Sequence, residues 1–176
     1  MNPVHWIRKY RWRRAIKKEF PKLLRKYARD DSELREYGLK ISFTNWRVWN
    51  GEGYRRPSPS IYWDCPFGII LYFADNPIAC IGFDLACEIV IVDQIQGVRN
   101  KENDLRKLRW ERFLVRLVTE ASRRLGYKEV RISPANKNRW WRIDREQSFK
   151  LRYDVTAQRE GFKFIKDLNM YALRLS

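Results

Sequence analysis

Val92 to Val118, VDQIQGVRNKENDLRKLRWERFLVRLV, is the stretch whose reading decides the fold. It begins as the end of an apolar strand, crosses a polar loop and becomes a long helix. On a helical wheel Trp110, Phe113, Leu114, Leu117, Val118, Ala121 and Leu125 fall on one broad face. Asn103 or Asp104 suits the N-cap, and Gly126 is placed to stop the helix. Such a junction is a favoured phosphate seat, because the helix start offers unpaired N–H groups and glycines let the backbone come close. Here Gly97 is the one glycine, and the loop is filled with Arg, Asn, Lys and Glu.

Upstream, LKISFTNW reads as a strand and GEGYRRPSPS as a loop. Three apolar runs follow: FGIILYFA, PIACIGFDLA and EIVIVDQI. The turns between them, at DNP and around Cys87–Glu88, are short enough for an antiparallel meander. Downstream, KEVRISPA predicts a strand and the polar, aromatic-rich NKNRWWRIDREQSFK leads to a shorter helix, LRYDVTAQRE. GFKFIKD and MYALRLS then close a hairpin. Residues 3–29 read as two helical pieces, with Pro21 in the first turn of the second. The expectation is a basic helical arm over residues 1–30 and an α/β (α+β) domain over 31–176.

The order strand, three-strand meander, long helix, strand, short helix and two closing strands resembles the GNAT N-acetyltransferase superfamily from about Gly38 to Ser176. RYDVTAQREGFKF looks like that family's short helix ending in a Gly-Phe step. EIVIVDQIQGV and the helix after it look like its fourth strand and cofactor-binding helix. The resemblance implies a mixed, mostly antiparallel central sheet flanked by helices. It also implies a loop of the form Gln/Arg-x-x-Gly-x-Gly/Ala that holds the coenzyme A pyrophosphate. The matching LRKLRW has no glycine, so side chains are expected to obstruct a phosphate there. The family's usual tyrosine acid falls at Ala157, with Tyr153 one turn earlier. Asp93 and Glu88 lie on the strand that often carries its general base, and residues 47–60 replace its usual helices between the first two strands. The expectation is therefore a degenerate scaffold with no catalytic residue and no cofactor.

Charge points to a partner. The 176 residues carry 37 Lys and Arg against 21 Asp and Glu, a net +16 with a pI near 10.1, which predicts attraction to polyanions. Cys65, Cys80 and Cys87 form no close metal-ligand pair and the sole histidine, His5, is distant, so no metal is expected. Cys80 and Cys87 lie in apolar runs and are read as buried thiols. No stretch reads as a membrane span or a signal peptide, and the reading is of a cytoplasmic protein with no membrane partner.

Three groups of residues carry the binding expectation. The arm supplies Arg8, Arg11, Arg13, Arg14, Lys17 and Lys18, interleaved with Trp6, Tyr10, Trp12, Phe20 and Tyr27 that dock it on the core. The long helix supplies Arg109, Arg112, Arg116 and Arg123, on a face that the core does not require. The third is Lys137, Arg139, Trp140, Trp141 and Arg142, where one tryptophan faces the core and the other is free to stack on a base. Arg47, Arg55 and Arg56 with Trp46, Trp49 and Tyr54 form a further basic, aromatic loop. This composition fits RNA or a ribonucleoprotein better than duplex DNA. The alternatives are an acetyltransferase using acetyl-coenzyme A, and a protein-binding inhibitor or accessory factor of a nucleic-acid-processing complex.

Overall fold

Alternating apolar residues build a seven-stranded sheet. The computed structural model describes residues 3–27, 38–45, 61, 63, 65–101, 105, 108–138, 141 and 143–176, without the side chains of 3–6, 45 and 144. Its strands are β1 (Lys40–Asn45), β2 (Phe67–Phe73), β3 (Asn76–Ala86), β4 (Ile89–Gly97), β5 (Glu129–Ile132), β6 (Lys163–Ile165) and β7 (Met170–Arg174). The order across the sheet is β1-β2-β3-β4-β5-β7-β6. Every pairing is antiparallel except β4 with β5. The helices are α1 (Pro3–Tyr27), α2 (Trp110–Leu125), α3 (Glu146–Lys150) and α4 (Thr156–Arg159), with a π-helical turn, Leu151–Val155, joining the last two. This is the mixed, mostly antiparallel arrangement that the GNAT resemblance implies.

The period of two along β2 sends Phe67, Ile69 and Leu71 to one face and Ile70 and Tyr72 to the other. The first face meets α1 and α2 in the main core. The second is covered by Ile61, Trp63 and Cys65, and Trp63 presses so closely that a Cβ at Gly68 would lie 2.1 Å from its ring. The meander turns are as short as expected. Ala74 and Asp75 take positive φ between β2 and β3, as does Cys87 between β3 and β4. Cys80 and Cys65 are buried, but Cys87 is exposed, because β3 ends at Ala86 and leaves it in the turn.

Three expectations change. Residues 3–27 form one helix that runs through Pro21, not two pieces. Proline forfeits one backbone hydrogen bond, at a cost of about 3 kcal/mol. Packing on both sides of it holds the helix across the gap: Phe20 and Tyr27 meet Phe113 of α2 edge-on at 5.7 and 6.1 Å, and Leu23 is buried. Next, α2 starts at Trp110, after Arg109 in the left-handed region; Asn103 and Asp104 lie outside the described residues. Last, the helix before Gly161 starts at Glu146 rather than Leu151, so part of the polar segment is helical.

Docking of α1 through its aromatics is direct. Trp12 is fully buried, stacked with Phe43 and 4.7 Å from the ring of Phe83. Ala15, Ile16, Leu23 and Tyr27 join it in the same core as α2 and the sheet. Tyr10, by contrast, is exposed.

Candidate functional site

α1 carries ten cations and one acid, Glu19. The acid is on the buried side. Burial acts to raise its pKa, but hydrogen bonds from Arg124 (2.6 Å) and Lys22 outweigh that and hold the carboxyl below its usual value. Arg8, Arg11, Arg13, Arg14, Lys17 and Lys18 are all exposed, as are Lys22, Arg25 and Lys26. Arg11, Arg14, Lys18 and Arg25 follow one another at helical spacing on the side opposite Trp12, Ile16 and Leu23. A helix anchored by its aromatic stripe thus presents a fixed cationic ridge. None of these four cations is in an ion pair among the described residues.

The arginine stripe of α2 turns out otherwise. Arg112 and Arg116 both close on the carboxylate of Glu160, at 2.6 and 2.8 Å from Nε, and Glu160 is only 3% exposed. The Tyr27 hydroxyl donates to the same carboxylate at 3.1 Å, its pKa raised first by burial and then by the charge of Glu160. Arg123 pairs with Glu120. The expectation that the core does not need this stripe is overturned at Arg112 and Arg116, because α1 packs over them and leaves them half-buried around an acid. Arg109 alone of the four is exposed. Glu160 was missed, although half-buried arginines require an anion and it stands immediately before Gly161-Phe162.

In the third group Lys137 is exposed, and Trp141 is half-buried against the core with its backbone N–H donating to Asn138 O at 2.9 Å. Arg139, Trp140 and Arg142 lie outside the described residues, as does the 46–60 loop with Arg47, Arg55 and Arg56.

The remaining candidate is where β4 and β5 part. They pair in parallel from Ile89–Glu129 to Val92–Ile132. One step on, Gly82 faces Gln94 and Phe83 faces Val92, so Asp93 is the extra residue of a β-bulge. Bulges bend a strand. β4 continues to Gly97 without β5 beside it. Parting strands leave main-chain groups to be satisfied, and side chains do so here. The Tyr153 hydroxyl accepts from Ile95 N–H at 2.9 Å and from Asn138 Nδ2 at 2.8 Å, while Asn138 also donates to Asp93 O at 3.0 Å. Tyr153 is 2% exposed, and burial pushes its phenol far above the ordinary range. It reaches this position from the π-helical turn, stacked on Phe149. Ala157, at the family's acid position, is buried. Glu88 sits in the turn before β4, not on the strand.

The described residues at the start of α2 do not fit the coenzyme A that the GNAT resemblance implies. Leu108 and Trp110 stand where the loop would have glycines, and both side chains are buried in the main core. The Leu108 N–H is spent on Leu105 O, and Glu111 places a carboxyl in the first turn of α2, where it would repel a diphosphate. Leu105 and Trp110 also close on β4: a Cβ at Gly97 would lie 3.1 and 3.2 Å from them.

Asp93 is the group at the bulge with acid–base potential. Partial loss of hydration raises its pKa, with the negative charge of Asp84 acting the same way and the Ser133 hydroxyl, which donates to it, opposing. A raised folded-state pKa stabilises the fold below the usual carboxylate value, and that contribution is lost as pH rises through the raised value. Asp93 nevertheless keeps an exposed side chain, so Asp93→Asn is expected to raise Tm only slightly at pH 7, and the gain should vanish near pH 3 in a thermal-melt series across pH.

Among the described residues no group of His, Cys, Asp and Glu could hold a metal, and no helix is long and apolar enough to cross a membrane. Neither a protein-family model nor a curated protein matches the chain. Solved structures do. The ribosomal-protein-S18-alanine N-acetyltransferase from Escherichia coli is 11% identical over 62% of this chain and 68% of its own, with a TM-score of 0.44. A GNAT family N-acetyltransferase from Escherichia coli, in complex with CoA, is 12% identical over 64% of this chain and 60% of its own, also at 0.44. Ard1 from Thermoplasma volcanium is 9% identical over 62% and 70%, at 0.39. The fold assignment stands on the sheet order and the parallel β4–β5 pairing rather than on these scores.

Proposed function

We propose that the protein is a non-catalytic, cytoplasmic binder of nucleic acid, RNA or a ribonucleoprotein above bare duplex, on a GNAT-like scaffold whose cofactor site has closed. The observation that carries this is the exposed ridge of α1, Arg11, Arg14, Lys18 and Arg25, with Arg8, Arg13 and Lys17 exposed around it, on a helix locked to the core. Its one acid points inward and is already paired. A ridge of this kind contacts phosphates without reading sequence. The test is fluorescence anisotropy of labelled single-stranded RNA titrated with nuclease-treated protein. Saturable, salt-sensitive binding is expected, and none at low salt overturns the proposal.

A second reading, an acetyltransferase, draws on Asp93 at its bulge as general base. Tyr153 is ill placed as the acid partner, since its hydroxyl is buried and holds the Ile95 N–H. Calorimetry separates the two readings: no saturable uptake of coenzyme A is expected at millimolar concentration, and a micromolar Kd would favour the enzyme.

A further inference from the structure

Beyond the parting of β4 and β5, the chain forms a hollow of about 330 Å³. It lies at the small end of ligand pockets, which run to about 300–1,000 Å³. Trp141, Phe164 and Tyr171 give it aromatic walls; Asn136, Asn169 and Asp154 give it hydrogen-bonding groups. The walls are built. Phe164 and Tyr171 are cross-strand partners on β6 and β7, with rings edge-to-face at 5.2 Å. Tyr171 is buried, whereas Phe164 remains 45% exposed although it stands in a concave site. Asp154 is fixed by the N–H of Ala135, which it accepts at 3.0 Å.

The charges say what fits inside. Asp154, Glu146 and Lys150 all line the hollow; Lys150 is paired with Glu146, which leaves the carboxylate of Asp154 to repel a phosphate entering it. A neutral planar ring with exocyclic amino groups meets the opposite welcome: π-faces to stack on and carboxylate or amide oxygens to accept its N–H groups. Outside the lining, exposed Lys137 stands next to Asn136 on the same short turn, where a sugar-phosphate chain would leave the hollow. We propose that this hollow takes one unpaired nucleobase of a single-stranded nucleic acid, with its backbone held outside. The inference rests on the nucleic-acid reading and adds a site to it.

The experiment compares two oligonucleotides of equal length, one base-bearing and one wholly abasic, binding to the wild-type protein and to Phe164→Ala. Stacking predicts that the wild type prefers the base-bearing strand by about ten-fold or more. Phe164→Ala should abolish that preference and leave abasic affinity unchanged. Phe164 is partly exposed, so the variant is expected to fold, and Trp141→Phe, which keeps a ring, provides a milder second test with a reduced preference. A wild type that binds both strands equally, or a Phe164→Ala protein that keeps the full preference, overturns the base site while the phosphate-binding ridge stands. If neither strand binds, the nucleic-acid reading itself falls and takes this site with it.

Discussion

Replacing Arg112 and Arg116 together with Glu is expected to prevent the domain from folding at 25 °C. In the native protein both guanidinium groups close on the carboxylate of Glu160, whose side chain is 1% exposed, with the Tyr27 hydroxyl as a third donor. Breaking one such buried pair typically costs about 3–5 kcal/mol, because the partner charge is left uncompensated. The double reversal does more, placing three carboxylates within one cluster beneath α1. Total stability of a domain is only about 5–15 kcal/mol. Circular dichroism and a urea titration decide the matter: loss of the cooperative transition is expected. A folded variant with the wild-type midpoint would mean that the cluster is not needed to hold α1 on α2. Glu160→Ala is the quieter companion, expected to lose about 3–5 kcal/mol by stranding both arginines.

Periodicity along α2 correctly set Trp110, Phe113, Leu114, Leu117, Val118 and Ala121 inward, because helical spacing is a local property. It also set Arg112 and Arg116 away from that apolar face. What no local pattern contains is that α1, some ninety residues earlier in the chain, lies over them, or that Glu160 arrives from the other side. The sheet was legible for the same local reason, each strand being a short apolar run bounded by a turn. Its parallel step from β4 to β5 followed from the resemblance. Pro21 misled because a backbone rule about one hydrogen bond was set against packing by Phe20, Leu23 and Tyr27 that the rule does not weigh. At the strand parting, Tyr153 reads in sequence only as a tyrosine one turn before the position of the family's acid. Its partners Asn138 and Ile95 came together only through the bulge at Asp93 and the π-helical turn, neither of which has a sequence signature here.

The exposed cations of α1 are the part of the reading that bears most on function, and they allow a substitution that leaves the core alone. Arg11, Arg14 and Lys18 are exposed on the side of α1 opposite Trp12 and Ile16. Changing all three to Ala should leave stability within about 0.5 kcal/mol per site, as for surface positions generally. Each phosphate contact with a single strand contributes about 0.7 to the slope of log affinity against log salt. Losing three should make the slope shallower by about two and weaken binding at 0.1 M salt by about a hundred-fold. The most direct measurement is therefore the salt dependence of single-stranded RNA binding by the wild type and by the Arg11→Ala, Arg14→Ala, Lys18→Ala protein, side by side. The account predicts a steep slope for the first and, for a variant with an unchanged Tm, a slope about two units shallower. Equal slopes and equal affinities in two equally folded proteins would contradict it.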